Sequence, residues 1–328
     1  MINVNYENKK YSLEYFNKKG EYITKPLRRK YWYLSTKTKK RKKPIKTVHN
    51  IYDDKQYYVY ENGGETPKLT VPFKLKKNKD GIRFYDYRDK FKLQHYQKII
   101  DDGLGMPKSI TYDIETTSLE ADKGFITSIA WIDNTDNSEH TVLNEGSEYS
   151  MLKEFINYIK ENNITSLIGF NSYDFDDKYL SYRCNHNQLN FNPIKSCNID
   201  VMKGANKLFI TGSLSSIGKQ LNIDEEKLDL GSDNPIKLYN DDRYDELLYY
   251  NLQDVRATND IMKALNLLPF YRALWELSWC DFNQLPFNSV LNNSLANKFL
   301  WENDLVVTKV DDQFLGDFGG GFNYIINE

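Results

Sequence analysis

The sequence predicts an α/β domain preceded by a small, mostly β domain, and three observations carry that expectation. Beyond residue 106, strand-like and helix-like runs alternate, the sign of a layered α/β core. Ahead of it, short alternating runs rich in Tyr, Val and Trp read as antiparallel strands. Charge divides along the same line: residues 1–105 carry 26 Lys and Arg against 12 Asp and Glu, which leaves 18 against 34 for residues 106–328. A basic part attracts polyanions and an acidic part gathers cations. Ordinary solvated surface is the plainer account of most of the acidic charges.

Length and composition set the frame. A chain of 328 residues is long enough for two or three domains, each with its own core. At 40% hydrophobic and 27% charged it reads as globular. None of its apolar runs approaches the roughly 18 residues that a membrane span needs, and MINVNYENKK lacks the apolar core of a secretory signal. Cys184, Cys197 and Cys280 form an odd set without a Cys-x-x-Cys pair, which suits a reducing compartment. The expected setting is therefore cytoplasmic, the host cytoplasm if the source is viral, as richness in Asn, Lys, Tyr and Ile suggests.

In the first hundred residues basic and aromatic side chains are interleaved: Arg28, Arg29 and Lys30 lead into Tyr31, Trp32 and Tyr33, and seven basic residues follow between Lys37 and Lys46. Cations neutralise phosphates and rings stack on bases, so the mixture suits nucleic acid. A basic loop that merely aids solubility is the alternative. YWYLST and DKQYYVYENG read as strands, with Gly63-Gly64 as a turn. A helical run over His95 to Asp102 ends at Gly103 and Gly105, with Pro107 beyond, and marks a boundary near residue 105.

From there Ser109 to Glu115, Phe125 to Asp133 and His140 to Leu143 are strand-like and form a meander. Ser150 is placed to cap a helix with Met151, Leu152, Phe155, Ile156 and Ile159 at helical spacing. SLIGFN reads as a buried strand, and a helix follows from about Asp176. Arg243 to Asn266 carries Leu247, Leu248, Leu252, Val255, Ile261, Met262 and Leu265 on a helical period, with Asp241 and Asp242 as cap candidates.

The chemistry starts in SITYDIETT, residues 109–117. Asp113 and Glu115 stand at i and i+2 of a strand, hence on one face. Two carboxylates so held repel each other unless a cation lies between them, which points to hard divalent ions with oxygen ligands. Further on, Tyr250 and Asp254 stand at i and i+4 of a helix and share a face, where a carboxylate and a phenol can complete such a site. A solvated strand end and a packing tyrosine are the bland alternatives.

Taken together, Asp113 and Glu115 in YDIETT, Asn171 with Phe175 and Asp176 in NSYDFD, and Tyr250 with Asp254 in YYNLQD resemble the three exonuclease motifs of family B DNA polymerases, in order and with the family's internal spacing. The tyrosine ahead of Asp254 matches the Tyr-bearing subclass of the larger DnaQ-like group. GSLSSIGKQLNI is similar to the family's Ser-Leu segment, with Ser213 and Leu214 at positions that touch the single-stranded 3′ end. The run LPFNSVLNNSLANKFLWEND resembles the connection toward a palm domain, and FGGGFNY, with Gly319 and Gly320, resembles more loosely the Gly-rich motif that holds the template strand.

The resemblance implies an RNase H-like (DnaQ-like) domain over 106–268 with a mixed central sheet flanked by helices. It also implies a nucleic-acid-contacting domain over 1–105 and a helical connection over 269–328. The implied activity is a proofreading 3′–5′ exonuclease that releases 5′-mononucleotides with two divalent cations, Mg²⁺ or Mn²⁺. Asp113, Glu115 and Asp254 would hold one ion, and Asp113 with Asp176 the second. Tyr250 would position the water, while Asn171 and Phe175 would sit against the terminal nucleotides. Palm motifs of the Asp-x-x-Ser-Leu-Tyr-Pro and Tyr-x-Asp-Thr-Asp kinds do not occur in the sequence. Polymerase activity is thus expected only with a palm, fingers and thumb portion, and the chain reads as a fragment or half of a split enzyme.

Other chemistries fare worse. Cys184, His186 and Cys197 make a poor zinc set. No Gly-x-Ser-x-Gly elbow or Gly-x-x-x-x-Gly-Lys-Ser/Thr loop occurs. Two further readings stay open, a free-standing DnaQ-like nuclease on DNA or RNA and a non-catalytic DNA-binding arm of a split polymerase.

Overall fold

The computed structural model of the chain describes residues 2–7, 10–17, 22–27, 31–35, 38, 40–50, 54–62, 83–84, 107–191, 198–223, 233–278, 280 and 282–306. The expected helix at 95–102, the Gly63-Gly64 turn, Arg28 to Lys30, Lys37, Lys39, Cys197, Gly319 and Gly320 lie outside the described residues. The chain divides into two compact units, one of residues 1–26 with 95–292, the other of 27–94 with 293–328.

The N-terminal strands are β1 (Ile2–Glu7), β2 (Lys10–Phe16) and β3 (Tyr22–Leu27), which form one sheet in that order, β1 and β2 antiparallel. A second sheet belongs to the other unit. It is built from β4 (Tyr31–Ser35), β5 (Lys46–Asn50), β6 (Lys55–Asn62), β7 (Arg83–Phe84) and the late β13 (Leu305–Val306), in the order β13-β5-β6-β4-β7. Val48, Tyr57, Val59 and Tyr60 are its buried residues among those described. The alternation read from YWYLST and DKQYYVYENG is thus realised as β4 and β6, paired antiparallel.

The acidic part is organised on β8 (Ser109–Thr116), β9 (Ile126–Asp133), β10 (Glu139–Leu143), β11 (Ser166–Gly169) and β12 (Ile199–Asp200). Their order is β10-β9-β8-β11-β12; the first three pair antiparallel as the expected meander, while β11 lies parallel to both β8 and β12. The sheet is therefore mixed, with β8 at its centre.

Period-2 alternation gives β8 two different faces. Ile110, Tyr112 and Ile114 enter the main core, where they meet α1 (Glu148–Glu161) through Leu152, Phe155 and Ile156, and α2 (Asp176–His186) through Tyr179 and Leu180. Each such apolar side chain contributes about 1.5–3 kcal/mol on burial. The opposite face carries Thr111, Asp113 and Glu115.

Helices α3 (Val201–Lys207), α4 (Leu214–Gln220) and α5 (Pro235–Asn240) are short. They are followed by the 21-residue α6 (Tyr244–Ala264), which lies on the β8 and β9 face. There Ala130 and Ile132 of β9 pack on Val255 of α6. Then come α7 (Leu267–Ser278) and α8 (Asn288–Glu302), the latter in the run expected to be a helical connection.

Two caps differ from expectation. Helix α1 starts at Glu148 with Ser147 as its cap, the Ser147 hydroxyl accepting from the Ser150 N–H at 3.3 Å. Glu148 is the first helical residue, and its carboxylate accepts from the Ile126 N–H at 2.8 Å and pairs with Arg183, Nη2 to Oε2 at 2.6 Å. Helix α6 has Arg243 at its cap position with no side-chain cap bond. Asp241 instead ends α5, and Asp242 takes the left-handed turn residue, φ 54°, between the two helices.

Candidate metal centre

The site forms where the polar face of β8 meets α6. Asp113 and Glu115 project from the strand because they are two residues apart. Asp254 reaches them from α6, whose apolar period turns Val255 to the sheet and brings its neighbour to the edge of that contact. One carboxylate oxygen from each of Asp113, Glu115 and Asp254 lies within 4.8 Å of the other two, and all three residues are half-buried. Among the described residues this is the one place where three such ligands meet. A register shift between Glu115 and Thr116 interrupts the ladder with β9 at this strand end, a feature that re-aims side chains.

The donor set fits a hard cation. Oxygens around Mg²⁺ at about 2.1 Å are some 3 Å apart when adjacent and about 4.2 Å apart when opposite, so carboxylate oxygens within 4.8 Å of one another are near enough for side-chain rotation to bring them onto one ion. Three anions packed this closely repel one another until positive charge joins them.

Asp176, expected as a fourth ligand, is not part of this trio. It opens α2, is 4% exposed, and is hydrogen-bonded to the backbone of Ile114, which lies between Asp113 and Glu115, and to its own backbone. Burial, reinforced by the Asp177 and Asp200 charges, pushes its carboxyl up to about 8. Asp177 is raised to about 6, again mainly by burial, against hydrogen bonds from the Tyr112 hydroxyl (2.6 Å) and the Asn198 amide (3.1 Å). A sheltered acidic nest of this kind favours a proton or a cation.

The loop between β11 and α2 is held from below by Asp200, which is fully buried. Its carboxylate accepts from the N–H groups of Asn171 (3.2 Å), Tyr173 (3.2 Å) and Lys203 (3.1 Å), capping α3 with the same group. Asn171 takes a left-handed conformation, φ 57°, at the turn. Gly169 permits the close approach, since a Cβ there would stand 2.6 Å from that of Ser172. Phe175 is half-buried against the core, with its ring 5.5 Å from that of Tyr179.

Tyr250 is half-buried on α6, one turn before Asp254. Leu214 of α4 does reach the centre's border: with Gly218, Lys219, Gln253 and Ala257 it lines an open groove that Asp254 also lines. Ser213 is exposed and caps α4, its hydroxyl accepting from the Ser216 N–H at 3.3 Å. Of the sulfur set, Cys184 is buried in the core with its thiol pushed up to about 12 by burial, and takes no part in a metal cluster among the described residues.

Sequence reasoning missed the buried polar residues around the centre: Asp177, Asn198, Asp200, Ser128 and Asn251. Asn251 is fully buried, and its amide donates to Asp113 Oδ2 at 2.7 Å.

A strand-borne acidic pair answered by a carboxylate from a helix across a mixed sheet is also where comparison with known proteins leads. Residues 110–266 match the family model described as RNase_H superfamily. These residues form an RNase H-like domain. In fold, the chain is similar to the family B DNA polymerase from the hyperthermophilic archaeon Pyrobaculum calidifontis, with a TM-score of 0.66 at 12% identity over 93% of this chain. It spans 50% of that polymerase chain. No curated protein sequence matches. Asp113, Glu115 and Asp254 stand close together, as in the metal sites of RNase H-like nucleases, and nuclease is the class this fold suggests. Among the described residues, no helix is long and apolar enough to cross a membrane.

Proposed function

We propose that the chain is the proofreading 3′–5′ exodeoxyribonuclease portion of a family B DNA polymerase. The observation that carries the reading is the convergence of Asp113, Glu115 and Asp254 on one side of β8, with Tyr250 one helical turn from Asp254. Mg²⁺ or Mn²⁺ suits an all-oxygen donor set. Asp113, Glu115 and Asp254 would hold one ion, and Asp113 with Asp176 a second. Two such ions, when bound, supply electrostatic stabilisation of the attacking and leaving oxygens of an in-line phosphoryl displacement.

The residues of the chain do the rest. Tyr250 donates or accepts one hydrogen bond that orients the attacking water. The water oxygen bonds to phosphorus as the bond to the 3′ oxygen breaks; the water gives up a proton to solvent, and the departing 3′ oxygen takes one from solvent to become the new 3′ hydroxyl. Leu214 lines the groove beside Asp254, and Asn171, Phe175 and Ser213 would meet the terminal nucleotides. Gly319 and Gly320 would contact the template strand, and the basic N-terminal residues would add phosphate contacts. Nucleotide transfer belongs to palm, fingers and thumb portions working with this chain.

The test is degradation of a 5′-labelled single-stranded DNA, with Mg²⁺ or Mn²⁺ and with chelator. Stepwise shortening from the 3′ end is expected only with metal, and Asp113→Ala combined with Glu115→Ala abolishes it while DNA binding persists. An undiminished rate in the double variant sinks the assignment.

A further inference from the structure

Asn251 is a costly residue to keep where it is. It lies in the interior of α6 at 0% exposure, and a buried amide must find partners for both ends or cost several kcal/mol. It finds them on two different strands. Its Nδ2 donates to Asp113 Oδ2 at 2.7 Å, and its Oδ1 accepts a longer bond, 3.4 Å, from the hydroxyl of Ser128 on β9. The amide cannot sit the other way round, because its oxygen would then face a carboxylate oxygen and repel it. Ser128 is itself fully buried and pairs across the ladder with Glu115.

The result is a relay from β9 through α6 to Asp113. Asn251 and Asp254 are i and i+3 on the same helix, so one helical turn delivers both a carboxylate to the cluster and a donor to the carboxylate opposite. A hydrogen bond at 2.7 Å to a charged oxygen is a short one for N–H···O, and it fixes the plane in which the Asp113 carboxylate lies. Left alone, that side chain would be pushed away by Glu115 and Asp254, whose oxygens stand within 4.8 Å of its own.

We propose that Asn251 is the positioning residue of this centre: held by Ser128, it orients the Asp113 carboxylate so that Asp113, Glu115 and Asp254 share a divalent cation. The inference rests on the metal-centre reading above. Outer partners of this kind typically govern affinity by 10–100-fold.

The experiment measures Mn²⁺ binding to the whole chain without nucleic acid, by the loss of the free-ion paramagnetic resonance signal, alongside thermal unfolding in chelator. Asn251→Leu removes the donor at nearly constant volume and is expected to weaken Mn²⁺ binding 10–100-fold. Thr111→Val is the control. It removes a different polar tie between β8 and α6, the Thr111 hydroxyl to Asn259 Oδ1 at 3.3 Å, and should lower the unfolding midpoint while leaving Mn²⁺ affinity within about twofold. Ser128→Ala keeps the amide but loosens it, and should weaken Mn²⁺ binding about 2–5-fold even should Asn251→Leu not fold. Wild-type affinity in both Asn251→Leu and Ser128→Ala overturns the proposal, as does an equal loss in Thr111→Val, which would make the effect one of helix docking. A wild-type chain that binds no Mn²⁺ refutes the centre itself, and this inference with it.

Discussion

Asp200 tests whether the centre depends on the shape of the loop behind it. Replacing it with Ala strips a charged acceptor from three backbone N–H groups, those of Asn171, Tyr173 and Lys203. Hydrogen bonds to a charged group contribute about 1.5–3 kcal/mol each. Against them stands the cost of burying the carboxylate, which is why its acidity is weakened by burial, although the same N–H groups oppose that shift. With a few kcal/mol offset in this way, the net loss is about 3 kcal/mol, or roughly 6–12 °C in unfolding midpoint for a unit of about 200 residues. Asp200→Asn keeps one acceptor oxygen and should lose about half as much. Because Asn171 stands on the loop and Asp176 opens the helix that follows it, single-turnover cleavage should fall about tenfold or more in Asp200→Ala, while Mn²⁺ affinity at Asp113, Glu115 and Asp254 stays within about twofold. The assays are thermal unfolding in chelator, then cleavage well below the midpoint. An Asp200→Ala midpoint within about 2 °C of wild type refutes the reasoning, since three bonds to a buried charge cannot vanish at that scale.

Tyr250→Phe should slow single-turnover cleavage about 10–100-fold at saturating metal, with DNA and metal affinity nearly unchanged, because one hydrogen bond to a charged group is worth about 1.5–3 kcal/mol. An unchanged rate would make Tyr250 a packing residue. Stability of the metal-free chain should fall as pH rises. Asp176, Asp177 and Asp200 all have folded acidities weakened by burial, Asp176 to about 8 and Asp177 to about 6. Below their unfolded values near 4 both states hold these protons; between the two values the unfolded chain releases protons that the folded chain keeps, so folding loses free energy until pH passes the folded values. Unfolding midpoints in chelator from about pH 5 to 8.5 check this, with added Mg²⁺ expected to restore the loss. A midpoint that climbs throughout that range contradicts it.

Much of the centre was legible in the residues alone. Alternation in SITYDIET separates Ile110, Tyr112 and Ile114 from Thr111, Asp113 and Glu115, and the structure places the two sets on opposite faces of β8. The apolar period of 243–266 likewise foretold α6 and the shared face of Tyr250 and Asp254. Both are short-range properties: a side chain's direction follows from dihedral angles that repeat every two or 3.6 residues. That three carboxylates from 113 to 254 meet was carried by resemblance, and the convergence is a fact of packing.

The outer polar groups were not legible. Asn251 meets Asp113 across 138 residues of sequence, Asn198 meets Asp177 across 21, and Tyr112 meets Asp177 across 65. Nothing local distinguishes Asp200 from any other helix-capping aspartate, and Ser147 and Ser150 are equally good caps until Glu148 is claimed by Ile126 and Arg183. The sequence by itself determined which residues face which way along each strand and helix, because that depends on local geometry. Tertiary structure alone decided which buried polar group answers which, because a donor becomes obligatory only after distant strands and helices have packed and excluded the water that would otherwise have served it.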